Sequence, residues 1–218
     1  SEEHSFREIA LAVEESRLSL AHTTPSELLI SKLLKSNKLS PEDIEAINHL
    51  PWRTDRLERG ASIIRRGQRP TRCFLLVDGF VMSSKQLVSG IQAVTGLHVA
   101  GDMPDLFGLH LETMDTDMWA ASDSTVAFVD HAAVKALCSS SPILNAGLWR
   151  FTLEAAAVTR EWVVNVGHRQ ARVRLAHLFC EIVTRLGVVS RAPCLTCEFP
   201  FTQASIGEIT GMSVVHVN

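Results

Sequence analysis

The sequence lacks the features that would place the protein in a membrane or outside the cell. Its 218 residues contain no run of eighteen apolar residues, the length a membrane-spanning helix requires. The chain does not open with the charged and then apolar leader of a secreted protein, so we expect a cytoplasmic protein with no membrane partner. Its five cysteines are an odd number in a chain long enough to bury substantial cores, which argues against a disulfide framework.

Signatures of an enzyme are also missing. No Ser-His-Asp or Cys-His arrangement stands out, and His98 and His110 are too few and too far apart for the metal site of a cupin-like enzyme. Cys194 and Cys197 form a single Cys-x-x-Cys pair without a second pair or a nearby histidine, which favours a loop or strand-turn pair over a zinc site. We therefore expect no enzymatic activity, no metal and no cofactor. A haem or redox sensor stays open as an alternative.

The formal net charge of −3 is unlike that of most small nucleic-acid-binding domains, so any contact with DNA must be local. One segment supplies the positive charge. Between residues 160 and 191 there are only two acids, Glu161 and Glu181, against six arginines: Arg160, Arg169, Arg172, Arg174, Arg185 and Arg191. This cluster suits phosphate contacts, although a solvated helix face would have the same composition.

The residues from 202 to 218 have the pattern of a helix, a tight turn and the start of a second helix. Thr202 can cap the first helix, and Ile206 then faces a core one turn later. Gly211 stands where the chain must leave that helix with positive φ, and Ser213 can cap the second helix. Thr210 fits less well, because the motif normally buries an aliphatic residue there. The pattern predicts a helix-turn-helix that binds DNA, with an αα-corner of no DNA function as the alternative.

The rest of the chain divides into three parts. Residues 1–38 are predicted to form an N-terminal helical extension, which includes the capping box of Thr24 and Glu27. A further short helix is predicted to start at Ser40-Pro41-Glu42-Asp43. Residues 39–138 contain many short apolar strands separated by glycines, which is typical of a β-roll or jelly-roll. Asp78-Gly79 between two apolar runs predicts a two-residue hairpin. The predicted strands are 63–64, 74–77, 80–82, 91–94 and 126–129.

A long helix is predicted over residues 139–167, starting at Ser141 and Pro142. Apolar residues recur along it at alternating steps of four and three, which is the spacing of a two-helix coiled coil. This spacing predicts a homodimer, although a helix packed on its own domain shows the same spacing. The predicted interface residues are Leu144, Leu148, Phe151, Ala155, Val158 and Trp162.

In this order the parts resemble the Crp/Fnr family of bacterial transcription regulators. The resemblance runs from about residue 39 onward, and its most specific stretches are 73–80, 167–178 and 201–218. It implies an α+β fold with a cyclic-nucleotide-binding-like β-roll, a long dimerisation helix and a winged helix-turn-helix over residues 168–218. The wing, and an arginine that the family places directly after Asn218, are expected beyond the last residue. The family also implies binding to palindromic promoter sites, and we expect RNA polymerase as a further partner.

The better-known family members bind cyclic AMP in the roll, and the residues here argue against that. Where the resemblance places a Gly-Glu pair and an arginine for the cyclic nucleotide, this chain has Pro104-Asp105 and approximately Thr116-Asp117. No Lys or Arg occurs between Lys85 and Lys135, whereas the same stretch holds seven acids. A phosphate needs a cation or a helix N-terminus. We expect no cyclic nucleotide in the usual mode, and the effector is unknown. An apolar effector pocket could use Met103, Asp105, Met118 and Trp119.

The resemblance also suggests which residues contact DNA. Val214, Val215 and His216 match positions that contact bases in the family. Val215 replaces a frequent glutamate and can pack only on an apolar group such as a thymine methyl. The remaining predicted DNA contacts are Thr202, Gln203, Ser213, Asn218, Arg169 and Arg172, with Arg174 a further phosphate candidate. The harder alternative is a dimeric β-roll protein that binds a small molecule and does not contact DNA.

Overall fold

The computed structural model describes residues 23–88, 90, 92–189 and 199–217. Some predictions fall outside the described residues: the Cys194 and Cys197 pair, Arg191, Asn218 and most of the N-terminal extension. The side chain of Val214 also lies outside the described part.

Two short helices precede the strands, α1 (Pro25–Leu34) and α2 (Pro41–Asn48). Both begin as the sequence predicts. The Thr24 hydroxyl accepts from the Glu27 N–H at 3.2 Å while the Glu27 carboxylate accepts from the Thr24 N–H at 2.8 Å. Ser40 and Asp43 form the same reciprocal pair. These capping boxes satisfy backbone donors that have no partner inside the helix.

The next part of the chain forms two antiparallel sheets. One has the strand order β1-β7-β3 and the other β2-β6-β4-β5. Apolar side chains from the two inner faces, among them Phe74, Leu76, Val81 and Val126, pack into one core. This confirms the predicted β-roll. The strands are β1 (Arg53–Leu57), β2 (Ser62–Ile64), β3 (Arg72–Asp78), β4 (Phe80–Gln86), β5 (Gln92–Val99), β6 (Asp117–Ala120) and β7 (Ser124–Asp130).

The predicted hairpin at Asp78-Gly79 is wrong. β3 pairs with β7 in the first sheet, whereas β4 pairs with β5 and β6 in the second. Gly79 therefore marks the corner at which the chain passes from one sheet to the other. Its φ is +86°, and a Cβ there would lie 2.5 Å from the carbonyl oxygen of Asp123. The corner thus requires glycine for its backbone angle and for the close approach of the neighbouring strand.

Two strands escape prediction. β1 is an edge strand whose residues are almost all exposed, and it carries Arg53, Asp55 and Arg56 in place of an apolar alternation. β6 has only four residues, with the sequence DMWA. Both strands form because they pair with a neighbouring strand, and their own residues do not favour a strand. Local periodicity cannot predict such pairing, because the partner is distant in the sequence.

Helices follow the roll: α3 (His131–Ser140), α4 (Pro142–His168) and α5 (Ala171–Val189), and then α6 (Gln203–Thr210) and α7 (Val214–Val217). The Ser141 hydroxyl caps α4 by accepting from the Leu144 N–H at 3.3 Å. A first core joins α1, α2, α3 and α4 to the roll. A second core, named here the docking core, joins the roll to α5 and α6. Its buried residues are Phe80, Met82, Leu97, Val99, Ala121, Leu178, Ile182, Phe201, Ile206 and Ile209. None of the described helices is both long and apolar enough to span a bilayer.

Candidate nucleic-acid interface and ligand cavity

The helix-turn-helix is built from α6 and α7. The Thr202 hydroxyl accepts from the Ser205 N–H at 3.2 Å, so Thr202 is the cap that the sequence predicts. Gly211 ends α6 with a φ of 65°, and the Met212 N–H donates to the Gly207 carbonyl at 2.9 Å. This left-handed cap turns the chain sharply into α7.

Thr210, the residue that fits the motif poorly, is fully buried. Its hydroxyl donates to the Ile206 carbonyl at 2.6 Å. A threonine can therefore take an aliphatic position here, because its one polar group is satisfied within α6.

The predicted DNA-contacting side chains of this motif lie on its outer side. Val215 is 81 % exposed. Thr202, Gln203, Ser213 and His216 are exposed as well. The His216 imidazole is within 2.8 Å of the Ser213 hydroxyl, which orients it at the start of α7. The motif thus rests on the docking core through α6 and presents the start of α7 to solvent.

The arginine cluster divides into free and engaged side chains. Arg172 is exposed, whereas Arg169 forms an ion pair with Glu161. Arg174 points inward: its Nε donates to the Arg169 carbonyl at 2.8 Å and its Nη1 to the Thr210 carbonyl at 3.3 Å. Arg185 is held between α5 and the roll. Of these four arginines, Arg172 alone is exposed without a side-chain hydrogen bond or ion pair to a described residue.

A cavity of about 660 Å³ lies between the roll and α4. Two of the four predicted effector-pocket residues, Met103 and Met118, line it. Trp119 instead lines a separate depression of about 360 Å³ beside Arg65 and Asp117. Asp105 is buried beneath the surface, where its Oδ1 accepts from the Phe74 N–H at 3.1 Å. Asp105 is thus a structural acid, and it does not line the larger cavity.

The six predicted interface residues lie on the face of α4 that is turned towards the roll. Leu144 and Leu148 are buried in the core shared by α1, α3 and α4, so they are not available to a partner. Phe151, Ala155, Val158 and Trp162 line the cavity. A dimer contact through Leu144 and Leu148 would require the first core to open, whereas a contact through Phe151, Ala155, Val158 and Trp162 stays a prediction. The apolar spacing reflects packing of α4 on its own roll.

Three cationic side chains line the cavity, although the sequence between Lys85 and Lys135 contains no Lys or Arg. Lys32 comes from α1, Arg185 from α5 and Lys85 from the end of β4. Lys32 Nζ lies 2.5 Å from Asp102 Oδ1, and Arg185 also pairs with Asp102. Lys85 Nζ lies 3.0 Å from Asp115 Oδ2. Each cation of the cavity therefore has a carboxylate partner there.

Burial and charge set the protonation of the acids and the histidine around the cavity. Burial opposes ionisation of Asp102, but Arg185 and Lys32 outweigh it and hold the pKa of this carboxyl well below its usual range. Burial lowers the pKa of His98 to about 4, so the imidazole that contacts the Ser83 hydroxyl at 3.2 Å is neutral. Burial raises the pKa of Asp105 to about 7. Within the described residues, no three His, Cys, Asp or Glu side chains are grouped as a metal site.

Comparison with known proteins gives a consistent result. The model of the family "Cyclic nucleotide-binding domain" matches residues 54–141. A probable transcriptional activator from Rhizobium leguminosarum bv. viciae is 24% identical over 163 residues, which are 75% of this chain and 67% of the relative.

Solved structures are similar in fold. FixK2 from Bradyrhizobium japonicum superposes with a TM-score of 0.66 at 20% identity, over 77% of this chain and 81% of that one. A transcriptional regulator of the CRP/FNR family from Thermus thermophilus superposes with a TM-score of 0.57 at 15% identity, over 76% and 81%. At these identities the structures establish the fold, a β-roll followed by a long helix.

Proposed function

We propose that this chain, which belongs to the Crp/Fnr family of transcription regulators, binds a near-palindromic DNA site as a homodimer under the control of a small molecule in its cavity. The exposed start of α7 carries this proposal. Val215 lies there and is 81 % exposed although it is apolar. The other helix of the motif, α6, packs in the docking core.

The roles of the individual residues follow from chemistry and exposure. Val215 packs on a thymine methyl and His216 donates to or accepts from a base edge in the major groove. Arg172 and the exposed N-terminus of α6, with Thr202 and Gln203, hold phosphates. In a dimer two such motifs enter successive major grooves about 34 Å apart, so the half-sites lie about one helical turn from each other.

We place the dimer contact on the outer face of α4. Its exposed apolar residues include Trp149 at 56 % and Leu153 at 52 % exposure, with Val163 and Val164 further along. At about 100° per residue, Leu153 lies half a turn away from Leu144, on the side opposite the first core. Exposed apolar residues in such a row are typical of a surface that a second helix covers.

The proposed division of labour follows the predicted parts. Residues 39–138 sense the effector, residues 139–167 dimerise and residues 168–218 contact DNA. A regulator bound at a promoter would also contact RNA polymerase. The effector is not a cyclic nucleotide bound through its phosphate, because Lys32, Arg185 and Lys85 are already paired with Asp102 and Asp115.

Selection from randomised duplexes with the full-length protein tests the proposal. We expect recovery of an inverted repeat that a Val215→Glu variant no longer selects. Recovery of no palindromic motif at moderate salt, from a protein shown to be a folded dimer, would favour a ligand-binding protein without DNA contact. Calorimetry with cyclic AMP and cyclic GMP tests the effector separately, and micromolar binding of either nucleotide in the cavity would contradict that part.

A further inference from the structure

We infer that Asp102 and Arg185 form a lock that fixes the DNA-binding part on the roll and that couples occupancy of the cavity to the position of α5 and α6. The inference rests on the proposed function for its meaning, since it names how the cavity would control the helix-turn-helix. Arg185 makes the contacts of this lock, and it lies in the wall of the cavity.

Arg185 joins α5 to the roll by several bonds. Its Nη1 donates to the Leu97 carbonyl of β5 at 2.7 Å and to Glu181 Oε1 at 2.8 Å. Its Nη2 pairs with Asp102, in the turn that follows β5. The planar guanidinium therefore holds a strand, a turn and its own helix in one geometry, which a flexible ammonium would not do.

Asp102 is itself fixed on both sides. Its Oδ2 accepts from the Val99 N–H at 2.9 Å, and its Oδ1 is bonded by Lys32 of α1. The carboxylate is thus a rigid partner that does not follow Arg185 if α5 moves. The Asp102 side chain is only 11 % exposed. Separating Arg185 from it would leave a poorly solvated carboxylate, so partial separation of the pair is unfavourable.

The same groups form part of the cavity wall. Lys32, Asp102, Arg185 and Trp162 all line the cavity. The Trp162 Nε1–H donates to Glu181 Oε2 at 2.6 Å, so a tryptophan of α4 is bonded to the acid that also holds Arg185. A molecule in the cavity therefore contacts the residues that anchor α5.

The docking core transmits this position to the DNA-binding motif. Ile182 of α5 packs in it with Ile206 and Ile209 of α6. The rings of Phe80 and Phe201 meet edge to face at 5.0 Å between centroids, one from the roll and the other from the chain just before α6. A shift of α5 would thus carry the helix-turn-helix with it, because packed cores rearrange as units.

A matched control lies in the same cavity. Lys85 and Asp115 form a second ion pair in its wall, but both residues belong to the roll and their side chains are half exposed. Neutralising this pair changes the charge of the cavity without touching α5. This control therefore distinguishes loss of the Asp102–Arg185 contact from a general change in the charge of the cavity.

Hydrogen exchange of the full-length protein without DNA tests the lock. In Arg185→Gln and Asp102→Asn we expect exchange in 171–189 and 203–210 to be faster by about tenfold or more, because one partner of a buried pair is lost. Arg185→Lys should restore part of the protection, and Asp115→Asn should match wild type. Exchange in Arg185→Gln equal to wild type would overturn the lock.

The coupling is tested with the apolar dye anilinonaphthalene sulfonate as the occupant. Dye in the cavity is identified by fluorescence that Ala155→Phe abolishes, since Ala155 lines the cavity. We expect this dye to change exchange in 203–210 in wild type and in Asp115→Asn but not in Arg185→Gln. Absence of cavity binding, an unchanged exchange in wild type, or the same dye effect in Arg185→Gln overturns the coupling. Because no DNA is present, a failed duplex selection would leave this result unaffected.

Discussion

The two faces of α4 have similar composition and opposite surroundings. On the inner face Leu144 is fully buried and Leu148 nearly so, and the Phe151 ring lies 5.0 Å from Lys32 Nζ. On the outer face Trp149 and Leu153 are more than half exposed. The inner face follows the alternating three- and four-residue spacing closely, while Arg160 interrupts the outer row.

The more regular apolar row is the one that is turned towards the roll of the same chain, where Leu144 and Leu148 are buried and the later residues line the cavity. A helix that lies along its own roll for several turns needs a continuous stripe. A contact between two helices can be shorter and tolerate a charged residue at its rim. Periodicity therefore identifies a buried face without identifying what buries it.

The largest expected effect comes from the inner face. Leu144→Ala should lower the free energy of unfolding by about 2–5 kcal/mol, because it opens a cavity in a core that cannot fully collapse. Denaturant titration measures this. The matched change on the outer face, Leu153→Ala, should cost well under half as much at a protein concentration where the dimer is dissociated. Equal losses would erase the distinction between the faces.

The next effect concerns the outer face. Leu153→Glu should weaken the dimer by about tenfold to a hundredfold, since a carboxylate would be desolvated against apolar partners. Sedimentation equilibrium gives the dissociation constant, and circular dichroism checks the fold. Val215→Glu serves as control, because it places the same charge on an exposed valine of α7, outside the proposed contact. A dimer unaffected by Leu153→Glu would move the contact elsewhere.

The stability of the region beneath the inner face of α4 should depend on pH. There the 3-10 helix after Asp105 (Leu106–Leu109) contacts α4. The pKa of Asp105 is raised to about 7, so the folded protein keeps a proton that the unfolded chain loses near pH 4. Its contribution to stability is therefore full below about pH 4 and is lost as the pH rises through 7. Asp105→Asn mimics the neutral acid, and its Tm relative to wild type should rise by a few degrees between pH 5 and pH 8. A constant difference would contradict the raised pKa.

The smallest expected effect is on DNA affinity. It distinguishes two arginines at the start of α5, Arg172, which points outward, and Arg174, which points inward. Arg172→Gln should weaken DNA binding by about threefold to tenfold and reduce the salt slope by about one, as expected for a lost phosphate contact. Arg174→Gln should weaken binding with an unchanged slope, because Arg174 supports the turn through the Thr210 carbonyl. Fluorescence anisotropy over a range of salt concentrations measures both. A reduced slope for Arg174→Gln would make it a phosphate contact instead.

Much of the local structure can be predicted from the sequence. Five strands, two capping boxes and the caps of α4 and α6 follow from residue types at fixed spacing, since each depends on neighbours within a few positions. β1 escapes prediction because it is a charged edge strand. Asp78-Gly79 resembles a hairpin turn because positive φ is common to such a turn and to a corner between sheets, and only strand pairing separates them.

The candidate site is predictable only in part. Of the four residues proposed for an effector pocket, Met103 and Met118 line the cavity, whereas Asp105 and Trp119 lie elsewhere. The absence of cations between Lys85 and Lys135 suggests an acidic pocket, yet Lys32 and Arg185 reach it from other elements. A count along the chain cannot include charges that arrive from another helix.

Helix caps, turn glycines and apolar periods act over a few residues, so the sequence predicts most helices and five of the seven described strands. The tertiary structure alone decided which face of α4 is free and which arginines are engaged. It also joined Asp102 to Arg185, 83 positions apart. Those outcomes depend on how complete surfaces fit against one another, and the free energy of that fit is set by shape, burial and charge gathered from the whole chain.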